Sequence, residues 1–199
     1  MKTTNIMIVG VGGQGSLLAS KLLGRLLVDE GYDVKVSEVH GMSQRGGSVV
    51  TCVKMGDQVA SPIIDLGEAD IILSFEAVEA LRWLPYMKPA GTVITNTQEI
   101  NPMPVVSGQA VYPQDVLGKM EKDGIRMVSL DALSIAESCG TVKCVNIVLL
   151  GVLAALLPEV SEEIWKQALE SVVPAKLLAV NEKAFQEGLA LGKKKGETL

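Results

Sequence analysis

Two glycine-rich stretches of the sequence contain residue types that bind anions. The first, residues 6–21, reads IMIVGVGGQGSLLASK: an apolar run, a glycine turn and a helical pattern. Its glycines satisfy the G-x-G-x-x-G motif, with a strand before and a helix after as that motif requires. Glycine lets the backbone turn tightly and approach a ligand, and the N–H groups at a helix N-terminus favour an anion. The candidate residues of this turn are Gly10, Gly12, Gly13, Gln14 and Gly15.

The second stretch, residues 38–49, reads EVHGMSQRGGSV. It follows the second predicted strand, so we expect it at the carboxyl edge of the sheet, beside the glycine turn, where α/β proteins bind ligands. An arginine can bind a phosphate or carboxylate with two hydrogen bonds, and glycine amides can add donors. Alternatively, the stretch is a tight connection whose polar groups face water. The candidate residues are Ser43, Gln44, Arg45, Gly46 and Gly47.

The glycine motif by itself suggests a dinucleotide, and Glu38 lies about 20 residues beyond it, where a ribose-binding acid is expected. The next connection argues against this ligand. Only HGMSQRGG separates strand two from the strand-like run SVVTCVKMG, and a parallel crossover needs a dozen residues or more. The third strand is therefore predicted to be antiparallel, unlike that of a dinucleotide-binding half-domain. In the alternative interpretation, the turn packs strand one against its helix and presents Gln14 to a neighbouring surface.

The remaining pattern alternates strands and helices up to residue 130. We predict an α/β fold with a Rossmann-like three-layer sheet, mostly parallel with one antiparallel strand after strand two. The predicted strands are 6–9, 34–39, 48–56, 70–75, 92–96, 105–111 and 126–130, and the predicted helices of this part are 16–30, 76–87 and 114–122.

From Asp131 onward the pattern is helical and predicts a C-terminal helical layer. Asp131 can cap a helix that stops at Gly140, and Asn146 is predicted to be a satisfied amide in the core. We expect one domain over residues 1–199, with the sheet core in 1–130 and the helices in 131–192. The predicted helices are 131–140, 143–157, one that starts at 161, and 174–191, and a frayed tail is expected from residue 192.

Composition excludes several classes of function. The net charge is −5 and the only basic block lies in the terminal GKKKGETL, so nucleic-acid binding is not indicated. The three cysteines, Cys52, Cys139 and Cys144, are fewer than the four thiolates that an iron–sulfur cluster usually takes. The longest apolar run, residues 147–157, is too short to cross a bilayer. We expect a cytoplasmic protein without a membrane segment or a metal site of its own.

Three segments in order carry a resemblance to a known family: GVGGQGSLLASKLLGRLL, VSEVHGMSQRGGSVVTCVKMG and GEADIILSFEAVEALRWLPYMKPAGTVITNT. They are similar to the gamma-type small subunits of the 2-oxoacid:ferredoxin oxidoreductases, and in HGMSQRGG to those of the indolepyruvate type. The resemblance covers most of the chain to about Asn146 and is weaker in the C-terminal helices.

The resemblance implies the oxidative decarboxylation of arylpyruvates to acyl-CoA, with electrons passed to ferredoxin. It further implies that thiamine diphosphate, Mg and iron–sulfur clusters sit on a large partner subunit, through which ferredoxin is reached, and that this chain is inactive alone. Both glycine-rich stretches would face that subunit, and whether this chain itself contacts coenzyme A stays open. The alternatives are a stand-alone NAD(P)-linked oxidoreductase and a noncatalytic nucleotide-binding scaffold.

Overall fold

A computed structural model of the chain describes residues 3–40 and 47–196, without the side chain of His40. Within these residues six strands form one sheet in the order β2-β3-β1-β4-β5-β6. Apolar runs such as that of β1, whose central residues are fully buried, are typical of strands covered on both faces. The strands are β1 (Thr4–Val11), β2 (Asp33–His40), β3 (Ser48–Gly56), β4 (Ala69–Ser74), β5 (Met87–Asn96) and β6 (Met127–Leu130).

Helices cover both faces of the sheet and complete a three-layer α/β architecture. The hydrophobic core on one face is formed with α1, α5, α6, α7 and α8, and a separate core on the other face is formed with α2 and α4. The fold class predicted from the sequence is confirmed. The helices are α1 (Ser16–Asp29), α2 (Ala77–Trp83), α3 (Met103–Val106), α4 (Val116–Lys122), α5 (Ala132–Cys139), α6 (Val145–Ala155), α7 (Glu162–Val172) and α8 (Ala175–Gly196).

The prediction of an antiparallel third strand is confirmed. β3 runs antiparallel to both β1 and β2, whereas β1, β4, β5 and β6 pair in parallel. The short connection after β2 leaves no room for a crossover helix, so the chain returns as a hairpin. As a consequence, β3 lies between the strand that leads into the glycine turn and the strand that carries Glu38.

Three local predictions were wrong. The predicted helix 76–87 ends as α2 at Trp83, and β5 begins at Met87, five residues before the predicted strand start at residue 92. Residues 105–111, predicted as a strand, instead belong to a connection that contains the short helix α3. Pro104 lies in the first turn of this helix, where proline's fixed φ suits a helix start. The predicted frayed tail is helical as far as Gly196, because α8 continues along α6 and ends in lysines that interact favourably with the helix dipole.

Helices α6 and α8 approach each other so closely that their backbones touch. A Cβ added at Gly151 would lie 2.2 Å from the carbonyl oxygen of Phe185, and one at Gly188 would lie 2.0 Å from that of Val148. Only glycine fits at these two positions. The contact buries α6, whose residues Val145 to Ala154 are all buried, and fixes the helical layer against the sheet.

The predicted cap at Asp131 and the predicted helix start at Ser161 are confirmed. Oδ1 of Asp131 accepts a hydrogen bond from the N–H of Ser134 at the start of α5, and the side chain of Ser161 accepts one from Ile164 at the start of α7. Among the described residues, no helix is long and apolar enough to cross a membrane.

Candidate functional site

The glycine turn joins the end of β1 to the start of α1. Three of its glycines, Gly10, Gly13 and Gly15, have different structural roles. A Cβ at Gly10 would lie 2.7 Å from Oε1 of Gln14 and 2.9 Å from Cβ of Phe75, so packing excludes a side chain. Gly15 caps α1 at φ +85°, a conformation that side chains rarely adopt. Gly13, at φ +100°, has no atom within 4 Å of its Cβ direction, so the backbone is open to a ligand at this point.

Gln14 braces the turn with its side-chain amide. Its Oε1 accepts from the N–H of Val11 at 2.8 Å, and its Nε2 donates to the carbonyl oxygen of Phe75 at 3.0 Å. The amide therefore ties the end of β1 to the end of β4, where the chain connections diverge to opposite sides of the sheet. Such a point in an α/β sheet is where ligands usually bind.

The hydrogen-bond donors that the turn leaves available to a ligand are backbone N–H groups. No acceptor among the described residues takes a hydrogen bond from the N–H of Gly13 or Gly15. Both N–H groups precede α1, whose dipole places partial positive charge at this end. The geometry suits a phosphate or a carboxylate.

The two glycine-rich stretches meet in space. The N–H of Gly12 donates to the carbonyl oxygen of Gly47 at 2.9 Å, which places the end of the second stretch directly against the turn. The other candidates of that stretch, Ser43, Gln44, Arg45 and Gly46, lie outside the described residues.

A cavity of about 460 Å³ opens beside the turn. The α5–α6 junction forms its opposite wall and contributes the exposed ammonium of Lys143, which the sequence analysis did not single out because a lone lysine at a helix start has no distinctive spacing. The lining residues are Gly13, Gln14, Gly15, Gln98, Leu133, Val142, Lys143, Val145 and Asn146.

Asn146 holds the cavity wall against the turn. Its side chain is buried, its Nδ2 donates to the carbonyl oxygen of Gly15 at 3.3 Å, and its Oδ1 accepts from the N–H of Ile147 at 3.0 Å. The prediction of a satisfied core amide agrees with these bonds. Because a Cβ at Gly15 would lie 2.9 Å from Nδ2 of Asn146, this contact also requires glycine at the helix cap.

Two buried glutamates behind the turn were missed by the sequence analysis. Glu76 is fully buried: its Oε2 caps α2 by accepting from the N–H of Glu79 at 2.9 Å, and its Oε1 accepts from the N–H of Ile100 at 3.1 Å and from the hydroxyl of Tyr112. Burial raises the pKa of the Tyr112 phenol, and the hydrogen bond to Glu76 raises it further. Glutamate is uncommon as a helix cap, so the sequence gives little reason to place it there.

Glu79 connects α2 to the second glycine-rich stretch. Its carboxylate accepts from Nε of Arg82 at 3.0 Å, from Nε1 of Trp83 at 3.3 Å and from the hydroxyl of Ser48. Ser48 directly follows Gly47, so this buried carboxylate fixes the point at which β3 leaves the stretch. The spacing Glu-x-x-Glu after a strand is the one local signal of this pair.

Glu38 does not stand where a ribose-binding acid would. It lies within β2, which continues to His40, and its carboxylate accepts from the hydroxyl of Thr51 on β3 at 3.4 Å. Within the described part of the chain, no group of three or more His, Cys, Asp or Glu side chains is placed to bind a metal ion. The thiols of Cys52 and Cys144 have pKa values raised by burial, so they are protonated at neutral pH.

Comparison with known proteins identifies the family. The model of the family described as pyruvate ferredoxin/flavodoxin oxidoreductase matches residues 5–191. The indolepyruvate oxidoreductase subunits IorB of Thermococcus kodakarensis and Pyrococcus horikoshii are 44% and 43% identical to the chain, and each match covers 97% of this chain and 98% of the relative.

A solved structure shares the fold. The 2-oxoglutarate:ferredoxin oxidoreductase of Magnetococcus marinus matches with a TM-score of 0.75 at 19% identity, over 98% of this chain and 32% of the longer chain. The chain therefore belongs to the pyruvate ferredoxin/flavodoxin oxidoreductase family, in which it is a gamma-type small subunit of a 2-oxoacid oxidoreductase.

Proposed function

We propose that the chain is the non-autonomous small subunit of an indolepyruvate:ferredoxin oxidoreductase. The complete enzyme would oxidatively decarboxylate aryl 2-oxoacids, transfer the acyl group to coenzyme A and pass the electrons to ferredoxin. The observation that carries this proposal is the 44% identity to the Thermococcus kodakarensis subunit over nearly the full length of both chains. Identity at this level across both chains favours the same role for both, that of a small subunit in the same kind of enzyme complex.

The donor set of the chain supports placing the redox chemistry on a partner. Its three cysteines belong to separate elements, β3, α5 and the turn before α6, and are too few for a usual cluster. Thiamine diphosphate, Mg and the iron–sulfur clusters would then reside on the large subunit, which ferredoxin would also contact. The small subunit would then complete an active site whose cofactors are bound by the large subunit.

The glycine-rich edge is the part of this chain that would reach the active site. The N–H groups of Gly13 and Gly15 and the ammonium of Lys143 fit one anionic group of coenzyme A, whose thiol accepts the acyl group when it is bound. Arg45 is assigned to the same proposed edge because it precedes Gly47 by two residues in the sequence. The edge comprises Gly10, Gly12, Gly13, Gln14, Gly15, Ser43, Gln44, Arg45, Gly46 and Gly47.

Reconstitution tests the function. The chain is expressed alone, the large subunit alone, and both together, and ferredoxin reduction is followed with indolepyruvate and coenzyme A. We expect activity only from the combined subunits, and a preference for indolepyruvate over pyruvate. Activity of this chain alone, or a complex that accepts only non-aromatic 2-oxoacids, would refute the proposal.

Replacement of Lys143 tests the coenzyme A contact. In the reconstituted enzyme, Lys143→Gln removes one positive charge from the cavity, so we expect the KM for coenzyme A to rise about tenfold, which corresponds to about 1.4 kcal/mol. The KM for indolepyruvate should stay the same. The matched control is Lys119→Gln, an exposed lysine on α4 on the other face of the sheet.

Arg45→Ala should raise the same KM or weaken assembly, while leaving the stability of the isolated subunit little changed. If both kinetics and assembly are unchanged in the Lys143 and Arg45 variants, this edge does not contact coenzyme A.

A further inference from the structure

The connection between β5 and α4, here called the 97–115 segment, is long and lies on the surface. Apart from the single turn of α3 it has no regular structure, and none of its residues is buried. Connections of this length are uncommon in compact domains and usually have a function. The segment leaves the carboxyl edge of the sheet, the same edge that carries the glycine turn.

Large apolar side chains of this segment point into solvent. Met103, Val106 and Val111 are 63%, 65% and 85% exposed. The 97–115 segment carries two charged residues, Glu99 and, at its end, Asp115, which is about half the 21% share of charged residues in the whole chain. Isolated exposed apolar residues are ordinary on protein surfaces, but apolar side chains grouped in a charge-poor stretch are typical of the centre of a protein–protein interface.

Polar groups hold the segment in one conformation although its apolar side chains contribute nothing to the core. Both ends are tied to the fully buried carboxylate of Glu76, one through the N–H of Ile100 at 3.1 Å and the other through the hydroxyl of Tyr112. Between them, the carbonyl oxygen of Pro104 accepts from the N–H of Gln109 at 2.8 Å. A surface ordered before binding loses less conformational entropy when a partner docks.

The segment is continuous with the candidate site. Gln98, at its start, lines the cavity and lies 3.5 Å from Nε2 of Gln14. A protein that closes the cavity over the glycine turn would therefore also cover the segment.

We infer that the 97–115 segment is the docking surface for the large subunit of the oxidoreductase, which meets it with an apolar, charge-poor surface of its own. This inference rests on the proposed function, since that function supplies the partner. Met103, Val106 and Val111 are the side chains that the partner buries. The tie to Glu76 positions them for docking.

Affinity measurements between separately purified subunits test the inference. The variant Met103→Gln/Val106→Gln/Val111→Gln keeps the segment but removes its apolar side chains. We expect its Kd for the large subunit to rise at least about tenfold, a loss of about 1.4 kcal/mol, while the urea midpoint of the isolated subunit is unchanged. The matched control is Ile63→Gln/Leu66→Gln, whose side chains are 63% and 68% exposed on the connection from β3 to β4, at the opposite edge of the sheet. It should bind like the wild type.

The outcomes separate the inference from the proposed function. Wild-type affinity in the triple variant, or equal weakening in the control, would overturn the inference even if the complex oxidises indolepyruvate. An effect confined to self-association of the small subunit would assign the surface to a second copy and would also overturn it. If the wild-type subunits bind each other but show no arylpyruvate-dependent ferredoxin reduction, the proposed function fails while the affinities still decide the docking surface. If the wild-type subunits do not bind, both fail.

Discussion

The residues that shape the glycine turn act mainly on each other. Gln14 engages both ends of its amide with main-chain groups of β1 and β4, and its Oε1 lies where a Cβ on Gly10 would have to be. The side chain is thus a brace, and the groups left for a ligand are backbone N–H groups. The packing of the turn therefore requires Gly10 and Gln14 of this motif, whether or not the turn binds a dinucleotide.

Replacing Gln14 by glutamate tests the brace. A carboxylate can still accept from Val11 but cannot donate to Phe75, whose carbonyl oxygen would face it. We expect Gln14→Glu to lower the free energy of unfolding by about 1–3 kcal/mol, measured by urea denaturation of the isolated subunit. The control is Gln58→Glu, the same change at an exposed position. Equal stability of the two variants would show that the amide does not brace the turn.

At the scale of elements, the contact between α6 and α8 fixes the wall of the cavity. Asn146 lies in the first turn of α6 and Lys143 in the turn just before it, and α6 is held in place by the backbone contacts at Gly151 and Gly188. A shift of α6 by even a methyl radius would move both cavity residues relative to the glycine turn. The position of the cavity wall therefore depends on glycines remote from it.

Replacing Gly188 by alanine tests this dependence. The added Cβ would overlap the carbonyl oxygen of Val148, and backbone cannot yield as a flexible side chain can. We expect Gly188→Ala to destabilise the subunit by about 3 kcal/mol, seen as a lower urea midpoint. Gly24→Ala is the control, because its nearest neighbour outside the helix would be a side-chain methyl of Val36 at 3.5 Å. It should be neutral or stabilising by up to about 1 kcal/mol, and a similar loss in both variants would contradict the explanation.

At the scale of the whole molecule, the strand order argues against a dinucleotide. In a dinucleotide-binding half-domain the strand beside β1 is parallel to it and carries the ribose-binding acid at its end. Here the neighbour of β1 on the side of β2 is the antiparallel β3, and Glu38 lies on β2, one strand further away. With strands about 4.8 Å apart, that acid's strand lies about 10 Å from β1.

Titration with NADH, followed by its fluorescence, tests this consequence of the topology. We expect no saturable binding in the micromolar range, and no difference between the wild type and Gly12→Val. Saturable binding that Gly12→Val abolishes would instead favour the stand-alone oxidoreductase.

Sequence alone determined the fold class, the antiparallel third strand, the cap at Asp131, the helix start at Ser161, and the resemblance to the family. These features depend on local information: the period of apolar residues, the chemistry of a cap and the length of a connection. The prediction of a strand at residues 105–111 was wrong because apolar residues give the same sequence pattern whether they face solvent or a core.

Only the tertiary structure decided how distant segments meet. It brought Gly12 against Gly47, buried Glu76 beneath the 97–115 segment and pressed Gly188 onto α6. No local pattern encodes these contacts, because each joins segments far apart along the chain, and their distances follow from how the layers pack. The two glycine-rich stretches were therefore visible in the sequence, while the brace, the cavity and the neighbouring 97–115 segment emerged only when those layers were assembled.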